Sequence, residues 1–287
     1  MKKNQEIASF GPIHLSVTDG AQSARFWQDI VGLSMLKSGR FLEFGSTRKA
    51  LIVLHPTATS KFKNGYSGLY HLAIHLPNAR EFARVLLRLI RSGWPISPTD
   101  HIMSKSIYLE DPDGITIEFA LETPERLGKF NLESGRFEVI DAEGLTKPAT
   151  GPLDIEEALS ALPDKNIVKD IPEESKIGHV HLYVGNLKTT FDFYRKLGFT
   201  ENLFYPKFGL ADLSAGGAFK HRIAINTWQG LGVTQAPKGT AGMEYFIIKF
   251  DSRSRLQKAV SNLDNPEKID AGYLTHDPSG NALVLTA

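Results

Sequence analysis

The chain has no cysteine, which excludes disulfides and thiol catalysis together. It also has almost no net charge. Its 33 Lys and Arg against 32 Asp and Glu leave +1 at pH 7, giving no reason to expect nucleic acid or an anionic membrane surface as a partner. No apolar run approaches membrane-spanning length, and the opening M-K-K-N-Q-E-I-A-S-F lacks the apolar stretch of a signal peptide. A soluble cytoplasmic protein is expected. Basic residues are scattered, and Arg80, Arg84, Arg88 and Arg91 follow helical spacing and read as a solvated face. The pair Gly216–Gly217 lacks a following Lys-Ser/Thr, so it is not a phosphate loop.

What the chain does have is repetition. Two segments open alike, as G-P-I-H-L-S-V-T-D from Gly11 and G-H-V-H-L-Y-V-G-N from Gly178. Each runs into an aromatic helical stretch, from Arg25 to Leu33 and from Phe191 to Phe199. Two more segments open as G-L-Y-H-L-A-I-H-L from Gly68 and G-M-E-Y-F-I-I-K-F from Gly242. These close on D-P-D-G-I-T-I-E-F from Asp111 and D-P-S-G-N-A-L-V-L from Asp277. A repeat supplies its own control, because a residue type in one copy can be judged against its counterparts.

Within a unit the pattern is strand, helix, then further strands. Ile74 and Leu76 alternate with small or polar neighbours, as a half-buried strand does. Asn78 caps a helix whose apolar positions Phe82, Val85, Leu86, Leu89 and Ile90 recur at three and four. Gly93 ends it and Pro95 prevents its continuation. Ser106–Glu110 and Ile115–Phe119 then read as an antiparallel hairpin around the D-P-D-G turn. The fold class predicted is α+β, with four βαβββ modules making two domains. Residues 1–125 hold modules at about 10–60 and 67–122, and residues 175–287 hold modules at about 177–230 and 242–287. Residues 126–174 read as a linker with one short helix, Asp154 to Leu162, capped by Asp154.

The order of elements, the strand-helix openings and the D-P-x-G hairpins resemble the vicinal oxygen chelate superfamily of glyoxalases, bleomycin resistance proteins and extradiol dioxygenases. The segment S-A-G-G-A-F-K-H-R-I-A-I-N-T-W from Ser214, with G-H-V-H-L, is similar to bacterial catechol-2,3-dioxygenase-like and hydroquinone-responsive ring-cleaving enzymes. That resemblance implies two glyoxalase/extradiol-dioxygenase-like domains. It implies a metal held by a His from the first strand of each of two paired modules and a Glu from the last strand of one. Two imidazoles and a carboxylate suit Fe(II), with Mn(II) or another divalent ion as alternatives. The partners implied are a small aromatic substrate and O2, and a homo-oligomer is compatible with the pattern.

The internal control then selects among modules. The first-strand position holds Pro12, His71, His179 and Tyr245, and the last-strand position in modules two and four holds Glu118 and Val284. Only modules two and three together supply His71, His179 and Glu118. The expected metal site is therefore shared between the two halves, within one chain or across a dimer. Glu118 also stands out alone, as a carboxylate in an otherwise apolar strand that needs a partner if buried.

Tyr108 lies across the D-P-D-G hairpin from Glu118 and can share its face. The resemblance gives such a tyrosine a hydrogen bond to a substrate oxygen. His101 and His221 are candidates for moving or holding a proton, with Asn226 and Trp228 as pocket-lining alternatives. His75 and His181 lie on the ligand side of their strands. They could support the ligands from behind, but His14 matches His181 in a module with no ligand, which favours a structural role. The function expected is a metal-dependent extradiol ring-cleaving dioxygenase acting on a catechol- or hydroquinone-type ring. The alternatives are a glyoxalase-like lyase or isomerase, against which the absence of Asp or Glu in R-I-A-I-N-T-W counts, and a non-catalytic aromatic-binding protein.

Overall fold

The computed structural model describes residues 5–133, 135–168 and 170–287. Each of the four modules opens on a strand: Ile13–Ser16, Gly68–His75, Lys176–Tyr183 and Gly242–Phe250. A polar residue then turns the chain into a helix by accepting from the free N–H groups of its first turn. The four caps are Asp19, Asn78, Asn186 and Ser252. The helices they start are Gly20–Arg25, Ala79–Ser92, Leu187–Lys196 and Arg253–Ser261. The first runs on as a wider π-helical turn over Phe26–Val31, which buries Phe26 and Trp27. Gly93 ends the second helix in the left-handed region at φ 69°, a conformation that suits glycine.

Among the described residues two nine-stranded sheets result, and neither follows the chain halves. The first joins modules one and four, with Ile13–Ser16 antiparallel to Gly242–Phe250 at its centre. The second joins modules two and three through Gly68–His75 and Lys176–Tyr183, also antiparallel. Within each module the opening strand lies parallel to the module's inner closing strand, with the helix as the crossover. Modules adjacent in sequence are tied differently, through the D-P-x-G turns. Asp113 of module two accepts from Thr18 N at 2.9 Å and Thr18 Oγ1 at 2.5 Å in module one. Ser279 of module four accepts from Gly185 N of module three at 3.0 Å. One continuous apolar core draws on all four modules.

The segment expected to be a linker does more than connect. Its helix, Ile155–Ser160, is capped by Asp154 as the sequence indicates. Before the helix, Leu127–Asn131, Glu138–Asp141 and Thr146–Pro148 form a three-stranded antiparallel sheet. Phe130, Phe137, Val139 and Ala149 of this region line the cavity over the second nine-stranded sheet and act as its lid. After the helix, the chain covers the arginine stripe. Arg84 is 2% exposed and donates to Asn166 O, and Arg88 donates to Val31 O at 3.0 Å and Ile167 O at 2.7 Å. The solvated face inferred from helical spacing is therefore corrected for these two residues. Their heads satisfy backbone carbonyls of a segment distant in sequence.

Candidate metal centre

Three strands of the second sheet converge on one point. His71 comes from the opening strand of module two, Glu118 from that module's last strand Thr116–Glu122, and His179 from the opening strand of module three. Ala73 pairs with Glu118 on one side and with His179 on the other. It lies two residues beyond His71, on the same face, and its single methyl leaves the space between the three side chains open. A β-bulge helps to aim them. Ile177 pairs with Ile74 and His179 with Ala73, so Gly178 is the extra residue. Such an insertion bends the strand and redirects the next side chain.

The three residues are 3%, 1% and 2% exposed. Glu118 Oε2 lies 3.1 Å from His71 Nε2 and 3.0 Å from His179 Nε2, and the two nitrogens are 3.2 Å apart. Glu118 Oε1 accepts from Ser106 Oγ at 2.5 Å, whereas the buried Oε2 accepts no well-aligned hydrogen bond. Three lone-pair atoms at the corners of one small triangle, one of them a buried unpartnered carboxylate oxygen, need a positive charge between them. Ligands about 2.1 Å from an ion and at right angles stand about 3.0 Å apart, so the set fits a divalent cation on one face. Among the described residues, this is the group of three His, Cys, Asp or Glu side chains close enough to share an ion. Burial pushes His179 well below its ordinary value, against the pull of Glu118, and leaves a neutral imidazole with a lone pair to give.

The other candidates surround this point. Tyr108 pairs directly with Glu118 across the hairpin, and its ring lies edge-on to His71 at 5.4 Å between centroids. Its hydroxyl is 3.0 Å from His101 Nε2, and His101 Nδ1 is 3.1 Å from Thr150 Oγ1. Burial and the nearby Glu118 raise the Tyr108 phenol well above its ordinary value, so it keeps its proton. On the opposite side His221 packs edge-on to His179 at 4.7 Å. Its Nδ1–H donates to Asp212 Oδ2 at 2.5 Å. His181 faces His71 across the sheet, but its Nε2 accepts from Asn226 Nδ2 at 2.9 Å, which removes it from the ligand set. Trp228 stands half-exposed at the cavity mouth, its indole N–H donating to Phe208 O at 2.8 Å.

Sequence reasoning missed four contributors. Asp212 is 2% exposed in the strand Leu210–Ser214. It carries the same signal that marked Glu118, a carboxylate within an apolar strand. Ser106 and the lid residues Phe130 and Phe137 carried no comparable signal, because serine and phenylalanine are ordinary in strands.

In the first sheet the corresponding cup is filled differently. His14 Nδ1 and His55 Nε2 are 2.9 Å apart, and Tyr245 stacks on His14 at 4.0 Å. Burial, with the neighbouring His55, lowers His14 to about 4.

Comparison with known proteins agrees with this plan. The family described as the Glyoxalase/Bleomycin resistance protein/Dioxygenase superfamily matches residues 9–119. Over that stretch the chain is similar to this superfamily. It is also similar to a protein of Bacillus subtilis (strain 168) named catechol-2,3-dioxygenase, 28% identical over 99% of both chains. Among solved structures, a putative dioxygenase from Bacillus subtilis superposes with a TM-score of 0.59 at 12% identity, covering 99% of this chain and 86% of that one. Glyoxalase I from Zea mays superposes at 0.53 with 17% identity, covering 97% and 92%. At these identities the structural likenesses establish the fold alone. The superfamily is largely one of metal-dependent enzymes, in keeping with the His-Glu-His cluster. No helix among the described residues is long and apolar enough to cross a membrane.

Proposed function

We propose that this chain is a metal-dependent extradiol ring-cleaving dioxygenase acting on a catechol- or hydroquinone-type ring. The observation that carries the reading is a ligand set of two imidazoles and one carboxylate, with no second carboxylate from the closing strand of the third module. The closing strand Ile223–Asn226 offers Ala224 opposite His181, and Asn226 is engaged with His181. A glyoxalase-like site would be expected to bring a second carboxylate there. Three ligands would leave room at the ion for dioxygen and for ring oxygens, both of a catechol or one of a hydroquinone.

His71, Glu118 and His179 would hold the ion. When bound, Fe(II), or Mn(II) in its place, supplies a Lewis acid and the electron path between ring and dioxygen. The remaining work falls to the chain's own groups. Tyr108, protonated and beside the cluster, donates a hydrogen bond to a substrate oxygen, and His101 Nε2 holds that hydroxyl in line. His221, fixed through Nδ1 by Asp212, lines the cavity, and its other nitrogen is left to hold or move a proton of the diol.

The cavity supports the same substrate class. It measures about 530 Å³, and no Lys or Arg among the described residues lines it, while Glu110 and Asp212 do. An anionic substrate would meet no basic side chain there. A neutral diol would find polar groups at the metal end and Phe130, Phe137, Val139, Leu203 and Leu210 at the lid end.

The test is anaerobic purification, loading with Fe(II), and oxygen uptake with a panel of catechols and hydroquinones. Uptake of one O2 per ring consumed is expected. Bound iron with no uptake on any diol would reject the reading.

A further inference from the structure

The two candidate imidazole ligands are supported unequally. His71 Nδ1 is buried without a hydrogen-bond partner. His179 Nδ1 lies 2.8 Å from His75 Nε2, and His75 Nδ1 lies 2.8 Å from Glu122 Oε1. Glu122 Oε1 in turn accepts from Arg222 Nη1 at 2.9 Å and lies 3.2 Å from Lys176 Nζ. Arg222 continues the line outward to Glu6 through Nε, at 3.1 Å, and through Nη2, at 2.5 Å. One hydrogen-bonded series thus runs from the buried cluster to the surface.

The backbone is built around His75. A Cβ added to Gly178 would lie 2.0 Å from the His75 ring, so the bulge residue next to His179 has to be glycine for this ring to sit where it does. The Gly178 carbonyl is itself held by Arg222 Nη1 at 3.0 Å. Phe219 packs edge-on to His75 at 5.2 Å and carries the Arg222 guanidinium over its face at 5.0 Å.

We infer that His75 is a positioning residue for the metal, acting through His179. The inference rests on the metal-centre reading above. With His179 Nε2 turned to the ion, its proton occupies Nδ1 and donates to His75 Nε2. His75 then carries its own proton on Nδ1 and donates to Glu122. The series fixes which nitrogen of His179 is free, locks the ring plane and makes the ligand a better electron donor, the effect that outer partners have on metal-bound histidine. His71 has no such support, so the His179 arm is the pre-organised one.

The experiment titrates Co(II) into the metal-free full chain against a chelator and records the cobalt absorption spectrum, with no turnover required. His75→Phe fills the space and cannot accept a hydrogen bond. It should weaken Co(II) binding on the order of 10- to 100-fold and alter the spectrum while circular dichroism stays parental. His75→Gln restores an acceptor and should recover most of the loss. Gly178→Ala keeps the imidazole but displaces it, and should weaken binding like His75→Phe. Should either variant fail to fold, Glu122→Gln reads the same series from its partly exposed end, with a several-fold loss expected. Parental affinity and spectrum in His75→Phe, or equal losses in the Phe and Gln variants, would overturn the inference. Failure of the parent chain to bind Co(II) at all would instead reject the metal centre on which it rests.

Discussion

Removing the charge of Glu118 gives opposite results under the two accounts of the buried cluster. If His71, Glu118 and His179 exist to hold an ion, the metal-free chain carries a buried carboxylate with one oxygen lacking a proper donor. Burial opposes the Glu118 charge, while His179 and His71 pull its carboxyl well below the usual range; burial keeps the His179 ring neutral, so that pull is not a full counter-charge and the buried carboxylate costs several kcal/mol. Glu118→Gln keeps the shape, lets Oε1 keep the Ser106 hydrogen bond, and offers an N–H pair to the imidazole lone pairs. The metal-free variant should therefore be more stable than the parent by about 1–3 kcal/mol, within the range seen when buried ionic groups are replaced by neutral ones of similar volume. For a chain of this size that is on the order of 5 °C in melting temperature. Metal reverses the order. At a thousandfold excess over its Kd, an ion adds ~4.1 kcal/mol to the parent and nothing to a variant that cannot bind it. Differential scanning calorimetry with and without Mn(II) or Co(II) reads both halves. If the cluster is a structural ion pair, the variant should melt below the parent by the equivalent of about 3–5 kcal/mol, as when one partner of a buried pair is removed. That result, with a parent unmoved by metal, would refute the reasoning.

Further outcomes are expected elsewhere. Tyr108→Phe should cut the rate of oxygen uptake on the order of 100-fold, the scale of a lost proton-handling group, with Co(II) affinity unchanged; parental rates would remove Tyr108 from the chemistry. Phe137→Ala, opening the lid, should raise KM about tenfold for an alkylated catechol, as for the loss of ~1.4 kcal/mol of apolar contact, and less for catechol itself; equal changes for the two would mean that the lid does not contact the substituent. His14, lowered to about 4 by burial and His55, binds its proton more weakly in the fold than in the unfolded chain. The stability it contributes is full above its unfolded value of about 6.5 and is lost as pH falls toward 4. The gap sets an upper bound of ~3.4 kcal/mol, and the partial exposure of the ring reduces it to about 1–2 kcal/mol. His14→Gln should remove that part of the acid destabilisation in urea titrations at pH 7 and 4.5, and an unchanged difference between the two pH values would contradict the assignment.

The helices and their caps were legible because each module repeats the same local grammar. Asp19, Asn78, Asn186 and Ser252 all follow an apolar strand and precede an amphipathic run, and all four accept from the helix they start. The meeting of His71, Glu118 and His179 was legible for another reason. Pro12, Tyr245 and Val284 at the counterpart positions leave modules two and three as the pair that can assemble the set. What escaped depends on contacts between distant segments. The stripe of Arg84 and Arg88 has the spacing of an exposed face, and nothing local reveals that residues 164–168 will lie over it. The lid sheet is short, and its strands alternate weakly because only a few side chains, Val139 among them, are buried. Sequence alone left His75 between a core histidine and a support for a ligand, because its tie to His179 depends on a bulge at Gly178, and a one-residue slip in pairing leaves no mark in composition or periodicity.

The central claim is that one divalent ion sits among His71, Glu118 and His179. Its most direct measurement is iron stoichiometry after anaerobic loading and desalting, for the parent chain beside His71→Ala, His179→Ala and the control Tyr245→Phe. The account predicts one iron per chain in the parent and the control, and none in the two histidine variants. Full iron in His71→Ala or His179→Ala, or its loss in Tyr245→Phe alone, would contradict it.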